Sequence, residues 1–245
     1  MTLAPPSPTP GGPAPEEPAT AGDVAPSGLV PFDVVDRVTL RDVARLARFA
    51  DGLAAGTVAV TERRALAVAE RIERVCEEIH HRHDAEETLL WPLLERHAGR
   101  ALDLSGLRDD HLALRGLLGE VRRLARGVLA ALLQRPTALA TAEDFVRMRT
   151  LARRLAELTD LLDEHLRDSA RELTDAVAAV PKDAWRRATR ALFATAPDRA
   201  FTAVRAREAA TPDEARPLAA ALGRGIAGPF TRRAVRRHDR LVFGE

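Results

Sequence analysis

The chain has 245 residues, of which 46% are hydrophobic and 30% charged, so it can bury a core and is not globally disordered. Its 37 basic and 36 acidic residues leave a formal net charge of +1, without the basic excess of a dedicated nucleic-acid binder. A single cysteine, Cys76, excludes an intrachain disulfide framework and a cysteine-built zinc site.

Residues 1–31 hold nine of the sixteen prolines among Gly, Ala, Ser and Thr. Such a segment buries too little apolar surface to fold, and a disordered tail is expected. From Pro31 on, apolar residues recur at three- and four-residue spacing. Val35, Val43, Leu46, Ala50 and Leu53 mark a first helix over about 32–54. Thr57 or Thr61 can cap a second, running from about 60 to 97 through Leu66, Ile72, Cys76, Ile79, His83, Leu90 and Leu94. Pro92 lies within that pattern, so a kink or local break is expected near Leu89. After a turn between Gly99 and Gly106, a third helix covers about 107–134 and ends at Arg135-Pro136-Thr137. A fourth, near 141–179, carries Met148, Leu151, Leu155, Leu158, Leu162, His165 and Leu173, and Pro181 closes it.

Four long helices with short connections, each with one apolar stripe, predict an all-α, up-down-up-down four-helix bundle over 32–180. Residues 181–245 read as a helical C-terminal extension broken at Pro197, Pro212, Pro217, Gly228 and Pro229. Its last segment sets Arg232, Arg233, Arg236, Arg237 and Arg240 beside Phe230, Val235, Leu241 and Val242, and a solvated basic face is expected there. No apolar run approaches the roughly 20 residues of a membrane span, and the N-terminus lacks a secretory pattern. A soluble, cytoplasmic protein is expected.

The histidines carry the specific information. His83 and Glu87 are four residues apart and share a helix face, with His80 one turn before on a neighbouring line. His111 falls on the Leu107/Leu114/Leu118 stripe of the third helix, and His165 on the Leu155/Leu158/Leu162 stripe of the fourth. A lone histidine on such a stripe is ordinarily a hydrogen-bonded core residue. Three helices aiming histidine at one interior, with a carboxylate beside them, point to a metal, because burying them without a partner is costly. Cys76, on the same face, reads as a small buried apolar residue rather than a soft ligand. His81 and His97 fall off the stripe and read as surface residues.

The run Ile79-His80-His81-Arg82-His83-Asp84-Ala85-Glu86-Glu87-Thr88-Leu89-Leu90-Trp91-Pro92 resembles the H-x-x-H-x-x-x-E…WP signature of bacterial hemerythrin-like (HHE cation-binding) proteins. Asp109-Asp110-His111 and Leu162-Asp163-Glu164-His165-Leu166 resemble that family's third- and fourth-helix histidine motifs. The resemblance covers about 32–180. It implies a four-helix bundle holding a non-haem di-iron centre with histidine and bridging carboxylate ligands, for which this chain offers His80, His83, Glu87, His111 and His165, and roles in oxygen or nitric-oxide binding, sensing or iron handling. Three positions depart from the family pattern. The first helix has no histidine, Asp36 or Thr39 standing there. Arg115 occupies the place of a second third-helix histidine. Ser169 and Ala170 stand where a bridging carboxylate follows the fourth-helix histidine, with Asp168 and Glu172 just off them.

Three states of the site therefore remain open: a di-iron centre with Asp36, Asp168 or Glu172 as replacement ligands, a single ion on His83, Glu87, His111 and His165, or a bundle without metal that acts as a structural or interaction module. The expected function is non-catalytic metal binding with a small diatomic ligand, oxygen or nitric oxide, and with neither nucleic acid nor membrane as partner.

Overall fold

A computed structural model describes residues 29–99, 102–134, 140–223 and 228–244. The expected tail, apart from its last three residues, and the break at Arg135-Pro136-Thr137 lie outside them. The bundle consists of α1 (Val30–Ala54), α2 (Glu62–Ala85), α3 (Trp91–Ala98), α4 (Ser105–Gln134) and α5 (Ala142–Ala178). The extension comprises α6 (Lys182–Ala194), α7 (Arg199–Ala209), α8 (Pro212–Leu222) and α9 (Pro229–Phe243). Packing runs from α1 to α5, α5 to α4, α4 to α2 and α2 back to α1, which closes a four-helix ring.

The helix ends follow local chemistry. Pro31 opens α1, where its missing N–H costs nothing because first-turn amides have no intrahelical acceptor. Thr61 caps α2 by accepting from the Arg64 amide at 3.3 Å. Thr141 and Asp144 cap α5 reciprocally, the hydroxyl accepting from the Asp144 amide at 3.2 Å and the carboxylate from the Thr141 amide at 2.9 Å.

The break expected near Leu89 is a π-helical segment, Glu86–Leu90, joining α2 to α3. The Trp91 amide bonds the Glu86 carbonyl, five residues back. This wider turn accommodates the ring of Pro92, which cannot donate to the carbonyl of Thr88. Pro217, expected to break the chain, lies inside α8 instead. Burial of Leu218 and Leu222 keeps this segment helical against the roughly 3 kcal/mol cost of an interior proline.

The bundle interior holds two apolar clusters with a polar layer between them. On α2 the layer falls between Ile79 of one cluster and Ala85 of the other, on α4 between Leu114 and Leu107, and on α5 between Leu162 and Leu173. His83, His111 and His165 occupy those gaps, at 4%, 1% and 2% exposure. Cys76 belongs to an apolar cluster, and burial pushes its thiol pKa up to about 12. Because only the thiolate reacts, Cys76 is expected to resist a disulfide reagent in the native protein and to react fully in 6 M guanidinium, as a colorimetric thiol assay would show.

The extension shares this core, since Trp185, Leu192, Phe193, Phe201 and Val204 belong to the same cluster as Phe32, Trp91 and Leu107. A buried ion network ties α7 and α9 to α1 and α2. Asp42 Oδ2 accepts from Arg71 at 2.6 Å and pairs with Arg205 at 2.9 Å, all three side chains being almost fully buried. Arg205 also meets Glu78 at 2.9 Å, and Arg71 reaches Asp239 of α9. The Phe201 ring lies 4.5 Å from the Arg71 guanidinium and 4.4 Å from that of Arg205. The last helix is therefore not merely a solvated basic face. Val235 and Val242 are buried and α9 packs on α2 and α7, while Arg232, Arg233 and Arg237 remain exposed.

Candidate metal centre

Four side chains converge in the polar layer: His83 from α2, Glu86 from the π-helical segment, His111 from α4 and His165 from α5. One donor atom from each lies within 4.8 Å of the others, and all four residues are buried. The rings of His83 and His111 stack at 4.1 Å, and Trp91 stacks on the far face of His111 at 4.6 Å. His165 meets His111 edge-on at 4.8 Å. First-shell bonds of about 2.0–2.2 Å put tetrahedral donors about 3.3–3.6 Å apart, so these side chains would draw together and the stacked rings would turn to close around an ion.

Two of the histidines are oriented by outer carboxylates. His111 Nδ1 lies 2.8 Å from Glu87 Oε1, and His165 Nδ1 lies 3.2 Å from Asp110 Oδ2. A carboxylate can only accept, so each Nδ1 donates to its carboxylate, and Nε2 is the ring atom left to face the cluster. This is how carboxylates commonly orient metal-ligating histidines. At His111 the Nε2 is buried and lies 3.4 Å from Glu86 Oε2, too poorly aligned for a well-formed hydrogen bond. A cation would satisfy it, so the donor set fits a metal.

The charges suit the same end. Burial lowers the pKa of His83 well below its ordinary 6.5, and His111 and His165 push the same way against Glu86. Burial also lowers that of His165. For Glu86, burial raises the carboxyl, but Arg82 and then the nearby histidines override it and hold the group below the usual carboxylate range. Arg82 Nε donates to Glu86 Oε1 at 2.5 Å, and its Nη atoms grip both oxygens of Asp36. Neutral imidazoles and an ionised carboxylate are the protonation states that bind a metal.

A pH dependence follows for the metal-free protein. As pH falls through 6.5, the unfolded chain protonates histidines that the folded chain keeps neutral, so ν_U exceeds ν_N and stability falls. Asp36 acts oppositely. Burial raises its carboxyl to about 6 despite Arg82, so between 3.8 and about 6 the folded state binds the extra proton. His83, lowered well below its ordinary value, and His165 are two groups set against that one. Urea unfolding is expected to give a lower midpoint at pH 5.5 than at pH 7.5; an unchanged or higher midpoint would show that the histidines are not buried neutral.

The remaining residues singled out in the sequence take other places. His80 is outside the cluster, with its side chain 44% exposed and Nε2 3.4 Å from Asp84. Glu87 is not the carboxylate of the cluster; it holds His111 from outside, and Glu86 takes the inner position. The buried stripe that runs from α2 into the π-helical segment advances Ile79, His83, Glu86, Leu90, by four, three and four residues, and this alternation could have identified Glu86. Asp36 is engaged by Arg82, and Thr39 donates to the Val35 carbonyl at 2.9 Å. Arg115 sits at the rim, 3.2 Å from Asp84 and 3.5 Å from Glu87. Asp168 pairs with Arg171 at 2.8 Å, and neither it nor Glu172 enters the cluster. His97 is exposed as expected, whereas His81 is partly buried and its Nε2 lies 3.0 Å from Thr195 Oγ1. Asp110 and Glu86 are the functional candidates that the sequence reasoning did not single out.

Among the described residues, no helix is long and apolar enough to cross a membrane. A family model described as the hemerythrin HHE cation binding domain matches residues 36–177, more than half of the chain. No curated protein and no solved structure matches it.

Proposed function

Because the chain belongs to the hemerythrin HHE cation-binding family, we propose that it holds a single iron ion on His83, Glu86, His111 and His165 and there binds or senses oxygen or nitric oxide. The observation that carries this reading is the buried, unbonded Nε2 of His111 facing Glu86. Three imidazoles and one carboxylate form a mixed nitrogen-and-oxygen set suited to iron, with zinc and manganese as chemical rivals. The ion would supply Lewis acidity and an open coordination position for a diatomic molecule. The protein's own residues do the rest: Glu87 and Asp110 hold the Nδ1 protons, Arg82 keeps Glu86 ionised, and the two apolar clusters wall off the layer above and below.

Two cations support one ion rather than two. The Arg82 guanidinium engages both oxygens of Asp36, so a second metal drawing on that carboxylate would meet a positive charge at close range. Arg115 likewise holds the rim carboxylates Asp84 and Glu87. The histidine-rich, carboxylate-poor donor set favours a binding protein over an oxidase, and the free, buried Cys76 suits a reducing cytoplasm.

Metal analysis after anaerobic reconstitution tests the reading. About one ion per chain is expected, lost in His83→Ala, with an optical change on adding nitric oxide. Two ions per chain would overturn the single-ion reading. Near-zero iron, zinc and manganese would overturn metal binding and leave the bundle as a structural or interaction module.

A further inference from the structure

A cavity of about 40 Å³ adjoins the four-residue cluster. Its inner wall is formed by His83, Glu86 and His165, and its sides by Val35, Ile79 and Leu162. The outer wall comes from the extension: Leu192 and Phe193 of α6, Ala196 beyond its end, and Thr202 of α7. These four residues lie outside the region that the family model matches. The bundle alone would leave this side of the cluster uncovered.

That outer wall is firmly held. Thr202 donates to Glu78 at 2.8 Å, and Arg205 meets the other oxygen of Glu78 at 2.9 Å. Phe193 packs on Phe32 with ring centroids 5.5 Å apart, and His81 reaches Thr195 at 3.0 Å just before Ala196. The charged groups in the lining are compensated, Asp36 and Glu86 by Arg82 and Glu78 by Arg205. An incoming anion would lose its hydration and find no free cation to replace it. The volume exceeds the ~10–15 Å³ that one water needs, yet leaves room for only a few heavy atoms.

We propose that α6 and the α6–α7 turn form the selectivity wall of this chamber, which admits uncharged molecules of two or three heavy atoms to the cluster and delays anions and larger ligands. The inference rests on the metal-centre reading for what lies at the end of the chamber, but not for the chamber itself. Ala196, partly buried and past the last turn of α6, is the position from which the space can be filled without disturbing a helix.

The chamber is tested first without metal, with xenon as the probe, by diffraction from pressurised crystals of the full chain. Xenon is expected between Ile79, Leu162 and Phe193, and is expected to be absent in Ala196→Phe. Should Ala196→Phe lower the melting temperature, Ala196→Leu carries the same test with less added volume. In the iron-loaded protein, stopped flow is expected to show nitric-oxide association slowed at least about tenfold by the filling variant. Azide is expected to bind more slowly than nitric oxide in the unsubstituted chain. Absence of xenon from this place, or its retention in both filled variants, overturns the chamber. Loss of xenon with an unchanged nitric-oxide rate overturns its role in access. Xenon bound and displaced as expected in a protein that takes up no metal would sink the proposed function and leave the chamber standing.

Discussion

Glu86→Gln is expected to weaken metal binding by more than about 100-fold, and Glu87→Gln by only about 10–100-fold, the range typical of an outer residue that orients a ligand. The two glutamates are sequence neighbours, but they face different atoms. Glu86 is buried, ionised against Arg82, and places Oε2 3.4 Å from the unbonded His111 Nε2. Its amide replacement would keep the shape and lose the anionic donor. Glu87 is one-third exposed and touches His111 only from behind, through Nδ1. Its amide replacement would let the imidazole turn or change tautomer without removing a donor. Competition titrations against a chelating dye, with iron(II) and zinc(II), measure both. Equal losses, or the larger loss at Glu87, would make Glu87 the ligand and undo the assignment of the inner shell.

Asp42→Asn is expected to be the most destabilising single substitution at a charged position, by about 3–5 kcal/mol, because it strips a buried anion from between two buried guanidinium groups. Arg71 would keep Asp239, and Arg205 would keep Glu78, but both remaining partners are more exposed than Asp42. The network joins α1 and α2 to α7 and α9, so the loss is expected to loosen the extension along with the bundle. Urea unfolding gives the magnitude, and limited proteolysis should cut first between α7 and α9. A loss under about 1 kcal/mol would mean that water reaches these ions, as at a surface pair.

Both substitutions bear on what could be read from the residues alone. The four bundle helices follow from apolar spacing, and their limits agree with the expected ones to within a few residues. Pro92 marked the place where α2 departs from α-helical geometry, though not the π-helical form of that departure. His83, His111 and His165 were legible because each interrupts an otherwise apolar stripe, where a solvated residue has no place. The four-residue spacing from His83 points to Glu87, because such a spacing nominally shares a face. The buried stripe uses the three-residue step there, and which of the two carboxylates enters depends on what α4 presents opposite.

The arginines were less legible still. On a chain with 37 basic and 36 acidic residues, nothing local separates Arg71, Arg82 and Arg205 from solvated ones. Their burial depends on partners 29, 46 and 127 positions away: Asp42, Asp36 and Glu78.

The sequence by itself determined the helices, their capping and the set of histidines that face inward, because periodicity and burial cost act within a few residues of each position. Tertiary structure alone decided which carboxylate joins the three histidines, that Arg82 pairs with it, and that α6 and the start of α7 cover one side of the cluster. Those outcomes depend on distances between groups remote in the chain, and only packing sets such distances.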